Sequence, residues 1–137
     1  MSDDTLQLRA QYMDAAFGDL DSIAKDLKQR LEYAKLKVDT LVGTGLSGAL
    51  VVPAVARILS LHWVVVRKSI QSSHSTYPFE GTLGKHWLFV DDRIETGTTL
   101  HHVKDFISAA VRSYGRNGFK TKYTGSFTYM YPTLRDM

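Results

Sequence analysis

Three short apolar runs constrain this chain of 137 residues more than any other feature. Val38–Gly43, Leu61–Val66 and His86–Val90 are each short enough for one strand. A helical stretch, Leu46–Leu59, joins the first two, and a second, Gly97–Tyr114, follows the third and stops at Gly115. Strand, helix, strand, loop, strand, helix is an α/β order, and it predicts a mainly parallel sheet with helices packed on its faces. Leu61–Val66 lacks alternating polar residues, as expected of a strand covered on both sides. Ligands of such sheets sit outside the carboxyl ends of the strands. The residues to watch therefore follow Val42, Val66 and Val90.

The flanks read less sharply. Residues 3–16 suit a helix capped by Asp3 or Asp4, and Phe17-Gly18 interrupts it. Residues 19–35 form a second helix, with Leu20, Ile23, Leu27 and Leu31 at near-helical spacing. Asp19 and Asp21 at its start and Lys35 and Lys37 at its end suit the helix dipole. Pro53 inside Leu46–Leu59 predicts a bend or a restart. Lys68–Gly84 has no period and reads as loop, and Phe119–Tyr131 reads as one or two strands. The expectation is a single α/β domain over 1–137. It divides into an N-terminal helical segment 1–36, a binding core 37–114 and a short β-rich tail 115–137.

Composition excludes several classes. With 44% hydrophobic and 23% charged residues the chain has the balance of a globular domain. It has no cysteine, hence no disulfide, thiolate metal site or cysteine nucleophile. No signal peptide is evident and no apolar run approaches the ~20 residues of a membrane span, so a cytoplasmic protein without a membrane partner is expected. The formal charge is +3, unevenly placed: residues 1–26 hold six aspartates against Arg9 and Lys25. Arg112, Arg116, Lys120, Lys122 and Arg135 make the tail basic. Scattered as they are, they read as a solvated face or a field for a small polyanion before they read as a nucleic-acid stripe.

Gly43-Thr44-Gly45-Leu46-Ser47-Gly48 matches GxGxxG between a strand and a helix. Three readings stay open. The loop's N–H groups could cradle a phosphate or pyrophosphate. It could serve NADP, with Arg67 in place of the acid that NAD needs. Or it could be a tight turn with close helix–sheet packing. It is no Walker A loop, because Ala49-Leu50 stands where Lys-Ser/Thr is required.

The richest segment is Trp87-Leu88-Phe89-Val90-Asp91-Asp92-Arg93-Ile94-Glu95-Thr96-Gly97-Thr98-Thr99-Leu100. An apolar strand carries two carboxylates to the sheet rim, and a Thr/Gly turn then opens a helix. Hydroxyls and free N–H groups at a helix start suit a phosphate monoester. The carboxylates suit sugar hydroxyls and hydrated Mg²⁺. Together they fit a phosphorylated sugar; caps and a turn are the plain alternative.

FVDDRIETGTTL resembles the phosphoribosyl-pyrophosphate (PRPP) motif of the type I phosphoribosyltransferases, and GTGLSG sits where that family has its pyrophosphate loop. The strand ending in Arg67-Lys68, with the loop after it, is similar to the strand leading into the family's mobile catalytic loop. The resemblance spans roughly Val38–Val111.

It implies a phosphoribosyltransferase of nucleotide salvage that uses PRPP, Mg²⁺ and a nucleobase and forms a homodimer. Asp91 and Asp92 would bind the ribose hydroxyls and, through water, the metal. Glu95, Thr96, Gly97, Thr98 and Thr99 would bind the 5′-phosphate. Thr44, Gly45 and Leu46, through a strained or cis peptide, and Arg67 and Lys68 would hold pyrophosphate. Lys68 would neutralise the departing pyrophosphate, and Glu95, Lys68 and Asp92 would be the catalytic residues. Glu95 stands where 6-oxopurine enzymes of the family carry an acid, which favours hypoxanthine, guanine or xanthine. An orotate or other pyrimidine enzyme, and a non-catalytic PRPP- or nucleotide-sensing regulator, remain alternatives. Ser73, His74 and Tyr77 are candidates in the mobile loop. His101-His102 point to different sides of their helix and make no metal pair. Trp63 and Trp87 read as core, and His62 and His86 as edge residues. Tyr123, Phe127, Tyr129 and Tyr131 either stack on a base or pack the tail.

Overall fold

The computed structural model describes residues 19–67, 79–92, 97–116, 118–130 and 132–136. Its strands are β1 (Thr40–Thr44), β2 (His62–Val66), β3 (Phe79–Gly81), β4 (His86–Asp91), β5 (Lys122–Thr128) and β6 (Thr133–Asp136). Its helices are α1 (Leu20–Ala34), α2 (Gly45–Leu59) and α3 (Thr98–Tyr114). One sheet holds all six strands in the order β3-β2-β1-β4-β5-β6. The inner four run parallel, and β3 and β6 close the edges antiparallel.

Alternation along each strand sorts the core into two layers. Leu41, Leu88, Val90 and Phe127 meet Ile23, Ala24 and Leu27 of α1 and Val51, Val52, Val55 and Ala56 of α2. On the other side Val42, Val64, Val66, Trp87 and Phe89 meet Val103 and Ile107 of α3. Ile23 and Leu27, expected on the apolar face of α1, are buried there; Leu20 and Leu31 flank them.

At the amino edge, Asp39 ties the start of β1 to the turn before β4. Its carboxylate accepts the Thr40 hydroxyl at 2.7 Å and the Lys85 and His86 N–H groups at 3.1 Å. Thr40 Oγ1 accepts the Gly84 N–H at 2.8 Å, and the Thr121 hydroxyl donates to the Gly84 carbonyl at 2.7 Å. Burial pushes the Asp39 pKa up. The bonds from Thr40, His86 and Lys85 and the charge of His86 outweigh it and hold the carboxyl below its ordinary value.

Two sequence expectations are corrected. Leu46–Leu59 does not restart at Pro53; α2 runs through it, with its neighbours Val51, Val52 and Val55 fully buried. That burial outweighs one missing N–H bond. β2 is covered on both faces as expected, with Val64 and Val66 buried in the α3 layer and Trp63 packed against the α1/α2 layer, although Trp63 and Val65 are only half-buried. Part of the expected loop is a strand, β3, paired with β2 from Phe79 to Gly81. The one or two strands expected in the tail are β5 and β6, which complete the sheet, with β6 lying beyond Tyr131. The expected helix over 3–16 lies outside the described residues.

β5 carries an irregularity. Trp87 pairs with Tyr123 but Leu88 pairs with Gly125, so Thr124 is an extra residue, and its hydroxyl donates to the Trp87 carbonyl at 2.9 Å. Such a bulge swaps the faces of everything beyond it. Tyr123 accordingly packs in the α3 layer, and Phe127 and Tyr129 in the α1/α2 layer.

Candidate functional site

The chain leaves β1 toward β2 and leaves β4 toward β5, in opposite directions along the sheet. At the carboxyl ends no described connection crosses between β1 and β4, so a crevice opens there. Thr44-Gly45 stands on one side of it and Asp91-Asp92 on the other.

Each glycine of the first loop has its own task. A Cβ on Gly43 would lie 2.5 Å from Val52 Cγ2 and 3.3 Å from the Gly48 Cα. One on Gly48 would lie 3.2 Å from the Gly43 carbonyl carbon. Gly43 and Gly48 therefore let α2 lie directly on β1, so the packing reading holds for them. Gly45 differs: its φ is 76°, a conformation that favours glycine. All described peptide bonds are trans, so the unusual geometry of this loop resides in Gly45. Thr44 is buried and its hydroxyl donates to the Val66 carbonyl at 2.5 Å. Its side chain thus fastens β1 to β2 and leaves α2 without a side-chain cap.

α3 starts in the same way. Gly97 has φ 80° and provides no side-chain cap, and its carbonyl accepts the His101 N–H at 3.0 Å. Thr98 and Thr99 form the first turn. Two helix N-termini, each equivalent to about half a positive charge, thus end at the carboxyl edge. Two phosphate groups suit that field.

Asp91 and Asp92 are half-buried at the end of β4. The Asp92 N–H donates to Asp91 Oδ1 at 2.9 Å, which turns the first carboxylate back on the chain. From behind, the Tyr129 and Met130 N–H groups donate to the Asp91 and Asp92 carbonyls at 3.1 and 3.0 Å. The turn after β5 therefore holds the acidic pair in place. Sequence reasoning missed this role, and no local pattern at Thr128–Met130 announces it. Two carboxylates offer the hard oxygen ligands that Mg²⁺ takes. Among the described residues no group of three or more His, Asp or Glu side chains is placed to hold a metal.

Arg67 follows β2 and is half-buried beside Val66. Leu46 is 73% exposed in the first turn of α2. Lys68, Ser73, His74, Tyr77, Glu95 and Thr96 lie outside the described residues, as does Tyr131. Phe127 and Tyr129 are core, and Tyr123 packs on Trp87 with ring centroids 5.0 Å apart. The described tail aromatics thus pack the fold. His101 Nε2 lies 3.5 Å from Asp105 Oδ2, and His102 lies edge-on to Phe106, so the two histidines face different neighbours.

A mainly parallel α/β sheet with two uncapped helix starts and an acidic pair at its switch point offers a setting that suits phosphate groups. A two-half dinucleotide fold is not what is built, because β3 runs antiparallel to β2. Among solved structures the chain is similar to orotate phosphoribosyltransferase of Francisella tularensis, at 19% identity and TM-score 0.57 over 80% of this chain and 50% of that one. It is similar to adenine phosphoribosyltransferase of Thermoanaerobacter pseudethanolicus, at 17% identity and TM-score 0.53 over 81% and 82%. It also matches UMP synthase of Leishmania donovani, at 16% identity and TM-score 0.51 over 78% and 21%. The chain has the type I phosphoribosyltransferase fold and spans about half the length of the orotate enzyme it matches. No protein-family model and no curated protein matches it by sequence. Among the described residues no helix is long and apolar enough to cross a membrane.

Proposed function

We propose that this chain is a PRPP-dependent phosphoribosyltransferase acting on a nucleobase, with a 6-oxopurine favoured. The observation that carries the reading is the crevice between β1 and β4, where an acidic pair and two uncapped helix N-termini meet. That spacing of charge matches a sugar with a phosphate at each end. Asp91 and Asp92 take the ribose hydroxyls, Glu95–Thr99 the 5′-phosphate, and the backbone of Thr44–Leu46 with Arg67 and Lys68 the pyrophosphate. A base nitrogen forms its bond to the anomeric carbon as the bond to pyrophosphate breaks, and Glu95 accepts the proton that the nitrogen loses. Bound Mg²⁺ supplies positive charge to the departing pyrophosphate. The chain's own share is orientation and fixed N–H dipoles aimed at developing negative charge. Ser73, His74 and Tyr77 belong to a segment that shields the reaction from water. A homodimer and a cytoplasmic setting complete the reading.

Thermal stabilisation by PRPP with Mg²⁺ tests it, measured with guanine, hypoxanthine, xanthine, adenine, orotate and uracil in turn, while pyrophosphate release is assayed. PRPP at a hundred times its dissociation constant stabilises by about 2.7 kcal/mol. The shift is expected to vanish in Asp91→Asn/Asp92→Asn, with pyrophosphate appearing for an oxopurine. A shift without turnover on any base would replace the transferase by a PRPP sensor. No shift would refute both.

A further inference from the structure

Away from the crevice, two grooves flank the second half of α3. One, of about 480 Å³, runs between α3 and the starts of β4 and β5, lined by Trp87, Lys104, Lys120 and Tyr123. The other, of about 350 Å³, lies toward β3 and is lined by Phe79, Tyr114 and Arg116. Val111 and Phe119 line both, so the grooves adjoin. Each has the volume of a small-molecule pocket, large enough for one nucleotide.

Their chemistry is one-sided. Lys104, Arg116 and Lys120 are cations, and among the described residues no carboxylate lines either groove. Asp105, beside Lys104, faces His101 at 3.5 Å. Lys104 Nζ sits 4.1 Å above the Tyr123 ring. Burial raises the Tyr123 pKa against a weaker opposing bond with Ser126. Tyr114 is 61% exposed and lies edge-on to Phe79, with ring centroids 5.6 Å apart. Phe119 is half-exposed where the grooves meet. Charges scattered along the sequence at positions 104, 116 and 120 are thus gathered around open aromatic faces.

We propose that this paired groove binds single-stranded nucleic acid, with bases against Phe119 and Tyr114 and phosphates on Lys104, Arg116 and Lys120. Alternating aromatic faces and cations is the pattern such ligands require. Two adjoining nucleotide-sized spaces favour a strand over one nucleotide, and exposed rings favour bases over an acidic peptide. The site is separate from the crevice: Trp87, in the first groove, and Asp91 are four residues apart on β4, about 13 Å, and Phe79, in the second, lies on the edge strand with β2 between it and β1.

The test is fluorescence anisotropy of the full chain with labelled single-stranded RNA of about 12 nucleotides, against its duplex, a mononucleotide and an oligoglutamate. The single strand is expected to bind at least about tenfold more tightly than the others. With three phosphates neutralised, log K against log salt has a slope of about −2. Lys104→Gln/Lys120→Gln weakens binding about 20-fold at 0.1 M salt, with an unchanged urea midpoint. Phe119→Ala weakens it without changing the slope. Absent binding, equal binding of duplex or oligoglutamate, a mononucleotide as tight as the strand, or an unaffected double lysine variant would overturn the proposal. Each of these leaves PRPP binding untouched.

Discussion

Gly43→Ala isolates the close packing beneath the candidate phosphate loop. The new methyl would stand 2.5 Å from Val52 Cγ2, more than an ångström inside normal carbon–carbon contact. Val52 is fully buried, so it has nowhere to turn. Overpacking of this kind costs about 1–3 kcal/mol. Val52→Ala alone removes two buried methyl groups, at about 0.5–1.5 kcal/mol each. In the double variant the alanine methyl enters the space that Val52 vacates. Its cost then approaches that of Val52→Ala alone, and the two changes couple by about 1–2 kcal/mol. Rescue stays incomplete, because the Gly48 Cα remains 3.3 Å from the new methyl. Urea unfolding of the four proteins measures the cycle, provided the m-values agree. Single costs that add to within about 0.5 kcal/mol would refute direct contact between α2 and β1 at this point.

Gly84→Ala sets a methyl against the Asp39 carboxylate and 2.9 Å from Thr40 Oγ1, so the urea midpoint falls, with a cost of about 2 kcal/mol or more. Asp39 has a lowered pKa in the folded state, so its stabilising contribution is complete above the ordinary carboxyl value of about 4 and is lost as pH falls through the lowered one. Stability measured against pH in Asp39→Asn should therefore run parallel to wild type at neutral pH and converge with it below about pH 4. Leu46 and Leu50 lie one turn apart on the outer side of α2, 73% and 41% exposed. In the proposed homodimer they lie between subunits, and Leu50→Glu shifts the sedimentation coefficient to that of a monomer; an unchanged coefficient would remove this face from the interface.

The central order of elements was legible because three apolar runs and their glycine or acidic stops are local patterns. The crevice followed from them, since Thr44 and Asp91 end strands wherever the strands sit. What local pattern could not carry was pairing at a distance. β3 has three residues, too few to show a period, and exists because β2 accepts it. Pro53 looked like a break because its missing N–H is visible in sequence, whereas the burial of Val51, Val52 and Val55 is not. Tyr123, Phe127 and Tyr129 share one parity and so read as one aromatic stripe; they lie in two layers. The backbone hold of Tyr129 and Met130 on the acidic pair had no sequence signal, because it passes through main-chain N–H groups that every residue but proline owns.

The extra residue at Thr124 acts as a ratchet for the whole C-terminal part of the sheet. A strand without it would have one free choice of alignment, repeated every two residues. With it, Tyr123 beds on one side and Phe127 on the other, and both beds fit at a single setting. Slipping β5 by one position empties both at once and draws Tyr129 and Met130 away from the carbonyls of Asp91 and Asp92. Correct alignment of the last third of the chain is thereby made a condition for shaping a crevice whose acids lie in the middle third. A chain that has not yet threaded β5 correctly has no finished acidic rim to offer a ligand.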